Sequence, residues 1–323
     1  MIGVVLRLTK RIFAHLPVAL RRHLLFFRSF RQWGNFRRPT GYSEKLNWRA
    51  INDRRALIAF TCDKLAAKEF VRHVAASNHS KVKIPETLWV GTDLAELETL
   101  AARLPARWVL KPNHGCGQVR LMDAVAQPID WGRLKAETRH WIHVSDEYRV
   151  RGHWAYGQAR RLLIAEERIG KGEHAPDDLK IEAYNGEPAF TFWTTGRSKG
   201  ALRYSNLKMD GTRLIWGHPA EESADTPIPL EDLDEATRAA ALQLTRAVAA
   251  PFDHVRVDGY AVDGEYWFGE LTAYPAAGLG AISAATDAWL GGLWQLPNVT
   301  AKDPREAEWR ALLAGVPKGT LQR

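Results

Sequence analysis

Cysteine is scarce in this chain of 323 residues, which has only Cys62 and Cys116. The two lie far apart and neither belongs to a C-x-x-C pair, so neither a disulfide framework nor a cysteine zinc site is predicted. Long uncharged apolar runs are also absent. None approaches the ~18 residues that a membrane-spanning helix needs, and arginines interrupt any signal-peptide core. These absences predict a protein of a reducing compartment, the cytoplasm.

Several familiar catalytic motifs are missing as well. The chain has no G-x-x-x-x-G-K-[ST] loop, no G-x-G-x-x-G turn, no G-x-S-x-G elbow and no H-E-x-x-H helix. A P-loop nucleotide enzyme is therefore excluded. His140, His143 and His153 lie near one another in sequence, but no matching cysteine or acidic cluster accompanies them, so they do not predict a metal site.

Acidic residues are absent from the first 38 residues, which hold nine of the 45 lysines and arginines. The rest of the chain is near neutral, so the net charge of +8 belongs to this arm. Apolar residues up to Leu16 fall on one helical face and Arg7, Lys10 and Arg11 on another, which predicts an amphipathic helix that Pro17 ends. A second basic, aromatic segment follows, RRHLLFFRSFRQW.

This basic amphipathic arm, residues 1–38, has three interpretations. It packs on its own domain, or makes a peripheral contact with the anionic inner face of the cytoplasmic membrane, or binds nucleic acid. Nothing later in the chain supports the third, because there is no zinc finger, RNA-binding aromatic motif or basic core domain. We therefore expect no nucleic-acid partner, and the first two interpretations stay open.

After the arm, helical segments alternate with short apolar strands. Asn185–Gly186 and Asp263–Gly264 are two-residue hairpin turns, and LDEATRAAALQLTRAVAAPF is an amphipathic helix. A regular βαβ series is absent. The pattern predicts an α+β fold of antiparallel sheets with flanking helices.

Two strand ends carry side chains suited to a nucleotide. Lys111 ends a buried strand and precedes a glycine turn with Gly115 and Gly117, so its ammonium and the turn's N–H groups can contact phosphate. Glu166 and Glu167 end a second apolar strand, where one of them can accept a hydrogen bond from an adenine amine. Each feature also occurs as an ordinary charged strand end.

The hairpin of residues 255–275 carries an acid at the base of each strand. Asp258 and Glu270 are hard oxygen ligands of the kind that Mg²⁺ prefers, and Arg256 shares a face with Asp258. A strict two-residue turn, however, pairs Val257 with Glu270 and sends Glu270 to the opposite face. A shared site therefore requires a β-bulge or a loop of different length.

Taken in order, these segments resemble the ATP-grasp superfamily, and more closely the TupA-like ATP-grasp family, found with bacterial capsule and cell-wall polysaccharide genes. The resemblance runs from about Pro39 to Pro297. The matching stretches are YSEKLNWRAINDR, DKLAAKEFV, WVLKPNHGCG, LLIAEERI, LKIEAYNGEP, FDHVRVDGYAV and YWFGELTAYPAAGLG. The ATP-grasp fold that it implies has an N-terminal subdomain at 39–100, a glycine-loop subdomain at 101–165, a large subdomain at 166–300 and a C-terminal helix or tail at 301–323.

The resemblance also implies a role for individual residues. Mg²⁺ is held by Asp258, Glu270 and Thr272, and Arg256 and Lys180 are catalytic. Thr272 departs from the family pattern, since many ATP-grasp enzymes have asparagine there as a third metal ligand. The residues implied to bind ATP are Lys64, Lys111, His114, Gly115, Gly117, Gln118, Glu166, Glu173 and Asp178.

The implied chemistry is carboxylate–amine ligation, in which ATP phosphorylates a carboxylate and an amine attacks the acyl phosphate. In a polysaccharide setting the substrates are an amino acid and a glycan that bears a carboxylate or an amine. A sugar kinase, a glycosyltransferase of the same pathway and a non-catalytic membrane-docked binding protein are alternatives. The candidates for the acceptor site are Trp141, Trp154, Tyr156, Arg197 and Arg203.

Overall fold

The computed structural model describes residues 12–143, 146–170, 172, 176–195, 203–216 and 229–315. No helix in these ranges is both long enough and apolar enough to span a bilayer. The helices are α1 (Val18–Phe30), α2 (Tyr42–Asn52), α3 (Ala56–Thr61), α4 (Lys64–Ser77), α5 (Leu94–Thr99), α6 (Trp131–Thr138), α7 (Asp146–Arg149), α8 (Trp154–Gln158), α9 (Glu235–Ala249), α10 (Ala284–Leu293) and α11 (Glu306–Ala314). Short 3-10 turns lie at Ala101–Arg103, Leu230–Asp232 and Pro275–Gly278.

The strands of the described ranges are β1 (Thr87–Gly91), β2 (Arg107–Pro112), β3 (Arg120–Asp123), β4 (Leu163–Glu167), β5 (Asp178–Tyr184), β6 (Glu187–Thr195), β7 (Arg203–Lys208), β8 (His254–Val262) and β9 (Glu265–Thr272). They form a small sheet in the order β1-β4-β2-β3 and a large sheet in the order β7-β6-β5-β8-β9. Every named pairing is antiparallel. The predicted α+β fold of antiparallel sheets with flanking helices is confirmed.

Both predicted hairpin turns are present and use left-handed backbone. Asn185 and Gly186 have φ of 51° and 86°, and Asp263 and Gly264 have φ of 53° and 74°. Two successive positive φ values match the right-handed twist of the flanking strands, which is why Asn-Gly and Asp-Gly suit such turns. These turns join β5 to β6 and β8 to β9.

One face of the large sheet is apolar because alternate residues of its central strands are apolar. Leu179 and Ile181 of β5 and Val255 and Val257 of β8 join a core that includes Leu244 of α9. All five are almost completely buried. The residues that alternate with them in β5 and β8 are mostly polar, and strand geometry places them together on the opposite face.

The small sheet has its own core on one side. Trp108 and Leu110 of β2 pack with Trp89 of β1 and with Leu97 of α5. Alternation sends Val109 and Lys111 to the other face of β2. Each sheet therefore has one face packed on a core. The opposite face of the large sheet is covered in part by a further core that includes Tyr184, Phe190 and Trp294.

Helix α1 is attached to the body of the protein through a buried arginine. Arg22 donates to Asn47 Oδ1 at 2.8 Å, to the carbonyl oxygen of Ala277 at 2.7 Å and to that of Arg151 at 3.2 Å. Pro17 lies immediately before the first residue of this helix. From Val18 to Phe30 the arm thus packs on its own domain, whereas residues 1–11 lie outside the described residues.

A buried ion cluster joins three helical segments to the large sheet. Asp253, just before β8, accepts hydrogen bonds from Arg49 Nη2 at 2.6 Å, Arg55 Nη2 at 2.7 Å and Trp294 Nε1 at 2.7 Å. Burial alone would raise the pKa of Asp253, but Arg49 and Arg55 outweigh it and lower the pKa to about 2. Because this carboxylate is charged in the folded state, it stabilises the fold.

Acid should therefore weaken the fold through Asp253. The unfolded carboxyl titrates near 3.8 and the folded one near 2, so its stabilisation is present above pH 3.8 and is lost as pH falls towards 2. The loss amounts to about 2 kcal/mol. Urea unfolding at several pH values, compared between the wild type and Asp253→Asn, measures this contribution. The variant should lose about 3 kcal/mol at neutral pH, because two buried arginines lose their counter-ion, and should show a shallower acid slope. Equal slopes in the two proteins would contradict the assignment.

Candidate active site

A cleft of about 380 Å³ lies between the two sheets. Apolar side chains form part of its walls, with Val109 and Leu121 from the small sheet. The rest of the lining includes most of the residues predicted to bind a nucleotide and a metal. These are Lys64, Lys111, Gly115, Gly117, Gln118, Glu166, Asp178, Lys180, Asp258 and Glu270.

Asp258 and Glu270 share the cleft face because β9 contains a β-bulge. From the turn, the strands pair regularly as far as Gly259 with Phe268, and the register then shifts so that Asp258 pairs with Glu270. Gly269 is the extra residue. A Cβ atom on it would lie 2.9 Å from the carbonyl oxygen of Asp258, so a larger residue displaces β8. The bulge that a shared site requires is thus present.

Arg256 and Asp258 form a bidentate ion pair on this face. Arg256 Nε lies 2.6 Å from Asp258 Oδ1, and Nη2 lies 2.7 Å from Oδ2. Burial opposes the charge of Arg256, but Asp258 outweighs it and raises the pKa of Arg256 above its usual range. Thr272 Oγ1 donates to Asp258 Oδ2 at 3.4 Å. Lys180, which pairs with Asp258 across the sheet and forms an ion pair with Asp178, adds a second cation.

A buried line of polar groups stands behind Arg256. Glu182, its neighbour on β5, accepts hydrogen bonds from Tyr42 Oη at 3.1 Å and His254 Nε2 at 2.6 Å. Arg49 Nη1 donates to His254 Nδ1 at 3.2 Å, so this ring is neutral with its proton on Nε2. Burial lowers the pKa of His254, in agreement. These contacts fix β5 and β8 beneath the ion pair.

On the small-sheet wall, Glu166 is buried between two lysines. Lys111 Nζ forms an ion pair with Oε1, and Lys68 Nζ lies 3.2 Å from Oε2. Burial alone would raise the pKa of Glu166, but the two ammonium groups outweigh it and hold the pKa below its usual value. Burial lowers the pKa of Lys68 to about 8 despite this carboxylate. Glu166 therefore positions both lysines, and the predicted adenine contact stays a prediction.

Lys68 belongs to the site although the sequence analysis did not select it. It lies one helical turn after Lys64 on α4 and donates to Thr87 Oγ1 at 2.8 Å as well as to Glu166. Residues four apart on a helix share a face. That spacing, beside a lysine already selected, is the signal that could have identified it.

The predicted glycine loop lies at the mouth of the cleft, with one correction. Lys64 Nζ donates to the carbonyl oxygen of Gly115 and lies 3.7 Å from Glu270 Oε2. Gly117 has φ of 70°, and no atom lies within 4 Å of a Cβ built on it. His114, however, is 1% exposed and bonds through Nε2 to the carbonyl oxygen of His143 at 2.9 Å. It therefore anchors the base of the loop and does not line the cleft.

Other predicted residues lie elsewhere. Glu173 and Arg197 fall outside the described residues, and Arg203 is the first residue of β7. Trp141 is buried in the core of the small sheet. Trp154 and Tyr156 pack against the core of the large sheet and do not line the cleft.

The carboxylates of the cleft fit Mg²⁺ bound together with phosphate. Asp258 accepts from Arg256 on each oxygen and from Thr272 on Oδ2, so a lone pair on Oδ1 stays available. The Glu270 side chain is 39% exposed. In the described part of the chain, no group of three or more His, Cys, Asp or Glu residues is arranged to hold a metal. Mg²⁺ commonly takes one or two carboxylates plus substrate oxygens, so this donor set suits it.

A family model of TupA-like ATP-grasp proteins matches residues 44–295. The chain belongs to this family. The resemblance drawn from the sequence is confirmed. No curated protein matches the chain.

This TupA-like ATP-grasp chain is also similar to solved ligase structures. D-alanine–D-alanine ligase from Bacillus anthracis, complexed with ATP, is 14% identical with a TM-score of 0.36, over 79% of this chain and 66% of that one. L-amino acid ligase from Bacillus licheniformis is 19% identical with a TM-score of 0.35, over 66% of this chain and 40% of that one. VanG D-Ala:D-Ser ligase from Enterococcus faecalis is 11% identical with a TM-score of 0.36, over 67% of this chain and 54% of that one. The chain thus covers less than two thirds of the length of the last two proteins.

Substituting the bulge residue should weaken the fold at the site. In Gly269→Ala, the new Cβ presses on the backbone of Asp258, and we expect the free energy of unfolding to fall by about 1–3 kcal/mol. Gly292→Ala is the matched control, because nothing lies within 4 Å of a Cβ at that helical position. It should be neutral or stabilising by up to about 1 kcal/mol. Urea unfolding measures both variants, and equal effects would contradict a specific role for the bulge.

Proposed function

We propose that this TupA-like ATP-grasp protein is an ATP-dependent carboxylate–amine ligase. It forms an amide through an acyl phosphate and releases ADP and phosphate. The observation that carries the proposal is that lysines and carboxylates face each other across one cleft. Lys64 and Lys111 lie on one side and Asp258 and Glu270 on the other, with Lys64 Nζ only 3.7 Å from Glu270 Oε2. This arrangement suits a triphosphate together with its cation.

The small-sheet wall supplies the nucleotide contacts in this proposal. Lys64 and Lys111 would bind phosphate oxygens, and the backbone N–H groups between Gly115 and Gln118 would close over them. Glu166 keeps Lys111 oriented before the nucleotide arrives. Apolar side chains of the small sheet, Val109 and Leu121, offer a surface for the adenine ring. The roles of Glu173 at the ribose and Asp178 near the phosphates also belong to the proposal.

The large-sheet wall supplies the chemistry. Asp258 and Glu270, with the Thr272 hydroxyl, would hold Mg²⁺, which when bound neutralises phosphate charge and polarises the phosphoryl group. Arg256 is held rigidly by Asp258 and presents positive charge to the same face of the sheet. Such a fixed cation stabilises charge that develops during phosphoryl transfer without reorganising. Lys180 adds a second positive group beside it.

The substrates we propose are an amino acid and a cell-surface glycan, or a precursor of one. Support comes from the polysaccharide setting of the family to which the sequence is similar. Two arrangements satisfy the chemistry: a uronic acid carboxylate is activated and an amino acid amine attacks, or an amino acid is activated and passed to an amino sugar. The reaction that supplies this enzyme must therefore make a glycan with a free carboxylate or a free amine.

Loss of Lys111 should weaken nucleotide binding. A charged hydrogen bond contributes about 1.5–3 kcal/mol, so Lys111→Ala should raise the Kd for Mg–ATP by about 10- to 100-fold. Lys135→Ala is the matched control, because that lysine of α6 forms an exposed ion pair with Glu98 of α5 and lies outside the cleft. Isothermal titration calorimetry measures both, with thermal unfolding to establish that each variant is folded. Equal affinities for the two variants would remove Lys111 from the nucleotide site.

Product analysis tests the reaction itself. ADP and phosphate release from Mg–ATP is measured with amino acids paired with uronic-acid or amino-sugar oligosaccharides. We expect both products only with a particular pair, and a loss of at least about 100-fold in kcat for Asp258→Asn and Arg256→Lys, since lysine cannot reproduce the bidentate pair. ADP without free phosphate indicates a sugar kinase. Failure to bind ATP in calorimetry overturns the nucleotide site and favours the glycosyltransferase alternative.

A further inference from the structure

Helix α1 buries two arginines beside Phe26 and exposes three apolar residues. Arg21 and Arg22 are 7% and 0% exposed, whereas Leu20, Leu24 and Phe27 are 44%, 37% and 38% exposed. A surface helix of a globular protein normally buries the apolar stripe and exposes the charges. Arg22 can be buried because it donates to backbone carbonyls and to Asn47.

The exposed apolar residues form one continuous strip. Leu20, Leu24 and Phe27 follow the i, i+4, i+7 spacing that places side chains on one face of a helix. Trp33, which is 62% exposed, stacks on Phe27 with ring centroids 4.9 Å apart. These four residues are called the outer strip. Scattered single apolar residues are normal on a protein surface, but an aligned set that includes a stacked aromatic pair marks an interaction surface.

The surroundings of the outer strip are positively charged. Arg28, Arg31, Arg37 and Arg38 are exposed in or just after α1, and the sequence has no acidic residue before Glu44. Both oxygens of Glu44 accept hydrogen bonds from backbone N–H groups in the segment that follows α1. Its charge is therefore partly used within that loop, and the flank keeps a basic excess.

We propose that α1 docks the protein on an anionic lipid bilayer, with the outer strip inserted at the interface and the arginines on lipid headgroups. Interfacial helices combine such an apolar face with basic residues and aromatic side chains at the boundary. Anionic headgroups attract each nearby arginine, so charge and apolar contact act together. A protein partner or a second copy would satisfy the apolar strip but would not by itself explain a flank with an excess of positive charge.

Docking also has a structural consequence for the cleft. The inner face of α1 holds Ala277, in the turn that follows β9, through Arg22. The same helix therefore contacts lipid on one side and the neighbourhood of Glu270 and Thr272 on the other. The inference is independent of the proposed reaction, since it concerns where the protein lies and not what it catalyses.

Vesicle flotation with the full chain tests the proposal. The probes are vesicles of phosphatidylcholine alone and of phosphatidylcholine mixed with phosphatidylglycerol. The wild type should float with the mixed vesicles and detach as salt rises. The triple variant Leu20→Gln, Leu24→Gln and Phe27→Gln should bind about 100-fold more weakly, because it loses the apolar contact. Arg28→Gln with Arg31→Gln should weaken binding about tenfold.

The matched control is the double variant Val125→Gln and Ile215→Gln, which removes two exposed apolar residues elsewhere on the surface. It should float like the wild type. Thermal unfolding establishes that all variants are folded. Wild-type protein that stays in solution with the anionic vesicles overturns the proposal, and so does a triple variant that floats like the wild type. Concentration-dependent dimerisation that the triple variant abolishes, without flotation, would assign the strip to a second copy instead.

Discussion

The extra residue in β9 is the constraint on which the site depends. In an antiparallel pair, a shift of one residue exchanges the two faces of a strand. Phe268 and Leu271 are both buried in the core although they are three residues apart, which regular alternation does not allow. The bulge at Gly269 resolves this conflict, so that Glu270 reaches the cleft while both apolar neighbours stay in the core. Without it, either a carboxylate enters the core or the acid pair separates.

The charges of the cleft are arranged before any ligand binds. Arg256 is paired with Asp258, Lys180 with Asp178, and Lys111 and Lys68 with Glu166. Buried charges are tolerated only when they are paired, and the pairs hold each group in one position. In the proposed reaction, a phosphate group that enters between the walls would replace carboxylate partners of the lysines and would not meet bare cations. Preorganisation of this kind keeps the reorganisation during charge transfer small.

Local chemistry made much of this architecture predictable. The two hairpin turns, the strand ending in Lys111 and the stop at Pro17 follow from residue types and short-range periodicity. The position of the bulge does not, because it depends on which residues of β8 and β9 pack against α4 and α9, far away in sequence. The place of Lys68 in the site and the inward direction of the His114 side chain could not be predicted from the sequence for the same reason. Their partners, Glu166 and the carbonyl of His143, are brought near only by the tertiary fold.

The basic arm divides into two physically different parts. Arg22 is structural: it holds the carbonyl of Ala277, which with Ala276 has positive φ, a backbone conformation that costs roughly 1–2 kcal/mol for each residue with a side chain. The arginines after it face water and belong to the surface. Deleting the whole arm would therefore release the strained turn beside β9 as well as the docking face, and the two effects would be confounded. Substitutions confined to the outer face of α1 separate them, because that face makes none of the contacts through which Arg22 holds the turn.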